Sequence, residues 1–250
     1  MTFTGKQLTT QLDADGTLTL QLNDKTWDAP KAGQVLIKVE ATPINPSDLG
    51  LLFASADTDN AEYTPGKIVA KMPENATRAM KARHGIPMPA GNEAAGIVVA
   101  AGEGAEHLLG KRIACVPGTA YATYALADTQ MAFAVDDSVT AEQAASSFVN
   151  PMTALGFVET MKLEGFTGIV HAAAASNLGQ MLVKICQEDG IPLVNVVRSD
   201  EQVKLLKDLG ATHVLNMTDA DYMPKLIDAI AETKAMIGFD PIGGGTVASQ

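Results

Sequence analysis

Cysteine, basic charge and long apolar runs are all scarce in this sequence. Cys115 and Cys186 are its only two cysteines, too few for a disulfide framework or a cysteine-built metal site. Both fall in segments that read as buried, one a strand and one a helix. Lys and Arg number 18 against 29 Asp and Glu, a formal net charge of -11. A nucleic-acid surface needs clustered cations, so no nucleic-acid partner is expected. No apolar stretch reaches the roughly 18 residues of a membrane-spanning helix, which excludes a membrane partner of that kind. The opening "MTFTGKQLTTQL" lacks the charged-then-apolar order of a secretory signal, so a soluble, cytoplasmic protein is expected. His84, His107 and His213 have no cysteine or carboxylate at ligand spacing, and no metal is expected. No serine stands in a G-x-S-x-G context, so a hydrolase elbow is unsupported.

What is present divides in style. The first part is strand-rich: "GTLTLQL" alternates, "GQVLIKVEA" is a β-branched run, and "AAGIVVAAGEG" and "RIACVPGTAYATYALA" continue it with glycine and proline as punctuation. Residues 54–88 are polar and read as a surface excursion, with a short helix at "ENATRAMKARHG". From about residue 141 the period changes. "TAEQAASSFVNPMTALGFVETMK" is helical in composition, interrupted by Pro151. Strands at "GIVHA", "PLVNVV", "THVLN" and "AMIGF" then alternate with helices. The first of these helices places Leu178, Met181, Leu182, Ile185 and Cys186 on one apolar stripe. A later one places Met223, Leu226, Ile227 and Ile230 likewise. Ser199 and Gln202 have capping-box spacing before "EQVKLLKDLG". Such alternation predicts a doubly wound parallel sheet.

The strand-to-helix turn after "GIVHA" is Ala174-Ala175-Ser176-Asn177-Leu178-Gly179, aligned to the G-x-G-x-x-G pattern that cradles a pyrophosphate. Only the last glycine, the one that lets helix pack on strand, is kept. Small residues replace the others, Asn177 tolerates a left-handed backbone, and Ser176 and Asn177 add side-chain donors to the helix-start amides. At the end of the second strand, where NAD-binding folds place an acid, stands Arg198. Arginine there would pair with a 2′-phosphate, which predicts NADP(H). His171, beside the turn, reads as structural.

"INPSDL" at 44–49, "GNEAAGIVVAAGEGA" at 91–105, "GTAYATYALA" at 118–127, "VNPMTA" at 149–154 and "GATHVLN" at 210–216, in this order, resemble the medium-chain dehydrogenase/reductase superfamily. The resemblance implies an α/β protein: a chaperonin-10-like β domain over 1–140, then a Rossmann domain over 141–250, with a small-molecule substrate in the cleft between them. Zinc members of the superfamily carry ligands where this chain has Asn45-Pro46 and Asn92-Glu93, so it is similar to the zinc-free branch of quinone oxidoreductases and 2-enoyl thioester reductases. The resemblance assigns nicotinamide contacts to Asn150 and Thr153, phosphate contacts to Ala175 through Leu178, and 2′-phosphate contacts to Arg198 and Ser199. It also allows a homodimer.

Without zinc, the implied chemistry is hydride transfer to a conjugated acceptor, whose enolate oxygen needs donors and whose α-carbon needs a proton. Enoyl thioester reductases use a tyrosine shortly after "NPSD". Here the first is Tyr63, inside the excursion, so Tyr63 and Asn45 are the catalytic candidates. The distance of Tyr63 leaves a quinone or enone acceptor equally open, and a non-catalytic NADPH-binding relative is the alternative. The pattern stops after four of the usual six Rossmann strands. That implies C-terminal truncation, with "AMIGF" left as an open edge.

Overall fold

In a computed structural model of the chain, residues 2–241 are described. They form two compact units that divide between Val149 and Asn150.

The first unit holds two five-stranded antiparallel sheets. Its elements run β1 (Phe3–Leu12), β2 (Thr17–Trp27), β3 (Gln34–Ala41), α1 (Pro46–Leu52), β4 (Asp57–Thr64), β5 (Lys67–Lys71), α2 (Glu74–Ala79), β6 (Met88–Pro89), β7 (Ala94–Ala101), β8 (Arg112–Cys115), β9 (Tyr124–Asp128), β10 (Ala132–Ala134) and α3 (Ala141–Ala145). One sheet has the order β4-β5-β2-β1-β6 and the other β10-β8-β7-β3-β9. The run "VLI" is buried at all three residues because β3 lies between β7 and β9. Gly96 permits the close approach of β7 to β3: a Cβ there would run into the carbonyl oxygen of Lys38, beside an irregularity in the pairing. Phe3 and Trp27 flank the ring of Tyr124, their centroids 5.4 and 5.6 Å from it, so aromatic contact ties one sheet to the other.

The excursion expected over 54–88 is not separate from the sheets. β4 and β5 pair with each other, and β5 pairs with β2 from Thr17 to Gln21, so the segment extends the first sheet. Ala70 is buried opposite Leu18 in the pairing, and the half-buried Ile68 packs against the cluster that holds Leu18 and Leu20. β4 forms the edge and buries no face, so "DTDNAEYT" shows no alternation to read. The expected helix breaks after Ala79 into α2 and a 3-10 turn over Lys81–Arg83. Helix α3, expected in the second domain, packs Ala144 and Ala145 against Ala95 and Ala114 in the first unit.

Helix α4 (Val149–Leu163) spans the division. Pro151 does not interrupt it. It sits in the first turn, where amides lack intrahelical acceptors in any case. The second unit continues with β11 (Ile169–His171), α5 (Asn177–Asp189), β12 (Leu193–Val197), α6 (Asp200–Asp208), β13 (His213–Asn216), α7 (Tyr222–Thr233) and β14 (Ile237–Phe239). All pairings are parallel, in the order β13-β12-β11-β14. The chain therefore winds outward from β11 and returns to its other side at β14, which creates a topological switch point. Strand β12 is buried at every residue. Leu193 and Val197 face a cluster with Leu182, Cys186 and Leu206, while Val194 and Val196 face another with Tyr222, Leu226 and Ala229. Helices thus cover both faces of the sheet.

Two expected stripes are rotated. In α5 the buried line is Gly179, Leu182, Val183 and Cys186, with Gly179 seating the backbone on the sheet and Leu178 at the margin. In α7 it is Tyr222, Leu226, Ala229 and Thr233, while Ile227 is 60% exposed. Tyr222 carries the larger surface to the interior and turns Met223 and Ile227 outward. Both cysteines are free and buried, their thiols pushed up to about 12 by burial. Among the described residues, no helix is long and apolar enough to cross a membrane, and no group of three His, Cys, Asp or Glu could hold a metal ion.

Candidate functional site

The turn after β11 is held by its own backbone. Ala172 donates to the Phe239 carbonyl at 3.0 Å, Ala174 to Val196 at 3.2 Å and Ser176 to Ala173 at 2.9 Å. The strained residue is Ala173, at φ 53°, one place before the alignment made from sequence. Ser176 then caps α5, its Oγ accepting the Gly179 N–H at 3.1 Å. A Cβ on Gly179 would run into the carbonyl oxygen of Ala174, which is the close helix-to-strand packing that the retained glycine permits. The amides of Asn177 and Leu178 open the first turn, where a helix leaves N–H groups without partners of its own and presents its positive pole.

A cleft of about 270 Å³ lies against this turn, lined by Ala172, Ala173, Ala175, Ser176, Val196, Val197, Arg198, Gln202 and Met217. The expected residues Ala175, Ser176 and Arg198 thus meet at one cavity. Ala174 and Gly179 are buried beneath the turn, and Ser199 serves α6 instead, its Oγ accepting the Gln202 N–H at 3.3 Å. Sequence reasoning placed Gln202 only as a cap. Its Oε1 in fact accepts the Arg198 N–H at 2.9 Å, and the side chain also lines the cleft. Met217 carried no signal at all: it arrives from the end of β13, its N–H bonded to Val197 at 2.9 Å.

The residues present fit an adenosine 2′-phosphate joined to a pyrophosphate. The Arg198 guanidinium is exposed, with no hydrogen bond or ion pair among the described residues. The nearest carboxylate in sequence, Asp200, is turned away, its Oδ1 accepting from Asn216 at 3.0 Å. Ser176 Oγ accepts from the backbone and so keeps its own proton for an outward acceptor.

Asn150 and Thr153 lie at the start of α4 and do not line this cleft. His171 is wholly buried, with neither ring nitrogen hydrogen-bonded among the described residues. Burial drives its pKa down to about 4, against an opposing pull from Asp240.

In the first unit the candidates separate. Tyr63 stands on the edge strand β4, 60% exposed, its hydroxyl donating to the Thr58 carbonyl at 2.8 Å. Asn45 is buried at the cap of α1: its N–H donates to Asp48 Oδ2 at 2.9 Å and its Nδ2 to Glu93 Oε1 at 3.0 Å. Around it lies a polar cluster that sequence reasoning missed. Asp48 Oδ1 accepts the Asn92 N–H at 2.9 Å, and the Tyr121 hydroxyl donates to the Pro43 carbonyl at 3.1 Å. Burial, and then the neighbouring Asp48 carboxylate, raise the Tyr121 pKa.

The alcohol dehydrogenase GroES-like domain model matches residues 31–137. The mitochondrial enoyl-[acyl-carrier-protein] reductase of Caenorhabditis elegans is 30% identical over 203 residues, 77% of this chain and 51% of that protein. A quinone oxidoreductase of Salmonella typhimurium is 24% identical over 226 residues, 85% of this chain and 64% of its own length. A solved structure from Mesorhizobium loti, assigned as an NADPH:quinone reductase, is 29% identical with TM-score 0.74, covering 98% of this chain and 69% of that one. These matches support a place for the chain in the zinc-free branch of the medium-chain dehydrogenase/reductase superfamily. It spans about half to two-thirds of the length of the curated relatives it matches. Glu93, which follows Asn92 in "GNE", is wholly buried. Here its carboxylate is occupied by protein donors, Asn45 on one oxygen and the N–H groups of Phe148 and Val149 on the other.

Proposed function

We propose that the chain is an NADPH-dependent oxidoreductase that delivers hydride to a conjugated small molecule, a quinone, enone or enoyl thioester. The observation that carries this reading is the convergence of Arg198 with the Ala173–Ser176 turn on one cleft at the start of α5. Both kinds of curated relative, the enoyl-[acyl-carrier-protein] reductase and the quinone oxidoreductase, support the acceptor class. The bound dinucleotide would supply the hydride. The protein's part is to hold the 2′-phosphate with Arg198, to receive the pyrophosphate on the Asn177 and Leu178 amides with the Ser176 hydroxyl, and to shape the pocket with Gln202 and Met217.

The test is a titration of the 250-residue chain with NADPH and with NADH, followed by the nicotinamide's own emission. NADPH is expected to bind at least about tenfold more tightly, and Arg198→Ala to erase that preference, as loss of a charge-assisted bond of about 2 kcal/mol requires. Equal affinities in the parent chain would sink the Arg198 argument.

A second reading, a nucleotide-binding protein without turnover, is favoured by one observation. The candidate proton donor Tyr63 has its hydroxyl bonded within its own hairpin. NADPH consumption with a quinone, and separately with a crotonyl thioester, distinguishes the two readings.

A further inference from the structure

The most deeply placed charge in the first unit is Glu93, wholly buried just before β7. No cation among the described residues pairs with it. Its Oε1 accepts Asn45 Nδ2 at 3.0 Å, and its Oε2 accepts the backbone N–H groups of Phe148 and Val149 at 3.2 and 2.8 Å. Its main-chain carbonyl accepts the Thr42 hydroxyl at 2.6 Å. A carboxylate so far from water is retained only where its lone pairs are met. Here neutral donors meet them: the Asn45 amide and two backbone N–H groups. The donors come from two segments far apart in the chain: Asn45 caps α1, and Val149 opens α4.

We infer that Glu93 is a positioning residue, a buried clamp that fixes the Asn45 side chain and the Phe148–Val149 backbone that leads into α4. The inference rests on the reductase reading, in which Asn45 and Asn150, the residue after Val149, serve the reacting end of the cofactor. Glutamine in place of Glu93 would turn one acceptor into a donor. That donor would face either the Asn45 amide or the helix-start N–H groups, and one side of the clamp would open. Aspartate would keep the charge on a shorter arm.

The test compares the full chain with its Glu93→Gln and Glu93→Asp variants. The probes are NADPH and adenosine 2′,5′-bisphosphate, which carries the 2′-phosphate without nicotinamide, together with amide hydrogen exchange resolved over residues 148–153. In Glu93→Gln, NADPH affinity is expected to fall about tenfold while the bisphosphate stays within about twofold, as loss of roughly one charged hydrogen bond at the nicotinamide end implies. Exchange at Phe148 and Val149 should accelerate, with partial recovery of both effects in Glu93→Asp. Equal losses for the two probes, or no loss for either, would make Glu93 a stabilising residue only and overturn the inference. If Glu93→Gln does not fold, Glu93→Asp makes the same comparison. If the parent chain binds neither probe, the reductase reading falls and exchange alone decides the clamp: protected amides in the variant overturn it and exposed ones sustain it.

Discussion

Arg198 and His171 show two opposite uses of an ionisable residue next to the same turn. Among the described residues, Arg198 stays exposed and unpaired at the mouth of the cleft, while His171 is sealed beneath it without a hydrogen bond. Held neutral by burial, His171 has a folded pKa of about 4 against an ordinary 6.5. Between those values the unfolded chain binds a proton that the folded chain does not. Stability is therefore unaffected by His171 above about pH 7 and declines as pH falls from 6.5 toward 4, by up to about 3 kcal/mol at about 1.4 kcal/mol per unit. Urea denaturation at pH 7.5 and pH 5 should show this loss, and His171→Leu should remove much of it. An unchanged pH dependence in that variant would refute the assignment. Arg198 was legible in the sequence because its signal is local, an expected acid replaced by a base at the end of a strand. Glu93 was not, since its partners lie 48 to 56 residues away. By itself "GNE" shows only an acid that cannot hold a metal alone.

At the scale of elements, α5 carries the site. Its cap, its packing glycine and its open amides occupy one turn, so changes there separate by mechanism. Ser176→Ala loses the cap bond, about 1 kcal/mol, and also loses a donor in the cleft. Gly179→Ala forces a methyl into the Ala174 carbonyl and should cost about 1–3 kcal/mol by displacing helix from strand. Thermal unfolding should rank Gly179→Ala below Ser176→Ala. A Gly179→Ala chain as stable as the parent would mean that the helix can shift without loss. The strands of the second unit were legible because each is short, apolar and bounded by turn residues. The stripe of α7 was misplaced by one face because a count of apolar residues treats Ile227 like Tyr222, whereas packing does not. Strand β4 left no pattern because an edge with no buried face has none to leave.

Taken whole, the molecule carries a net charge of -11 and is proposed to bind a polyanionic dinucleotide. The long-range field opposes the approach of NADPH, while Arg198 and the helix pole attract it only at close quarters. Salt screens the distant repulsion first, because those charges stand farther apart than a Debye length of about 10 Å at 0.1 M. Stopped-flow measurements should therefore show the association rate of NADPH rising between 0.01 and 0.1 M ionic strength, roughly severalfold. A rate that falls with salt would place more positive potential around the cleft than Arg198 and the helix start provide. The division into a strand-rich part and a parallel-sheet part followed from the change of hydrophobic period along the chain. The way Asn45, Glu93 and Val149 lock together did not, because periodicity reports which face is buried and is silent on which polar atoms meet there.

Trp27 is the protein's one tryptophan, packed edge-on against Tyr124 in the first unit. Emission excited at the red edge of the indole band is therefore a native reporter for that unit alone. Its wavelength shift during denaturation marks the moment the two antiparallel sheets part. Loss of nucleotide binding, read separately, marks the fate of the parallel sheet. One unlabelled sample can thus be followed at two addresses, and any gap between the two curves measures how far the halves of the chain unfold as independent bodies.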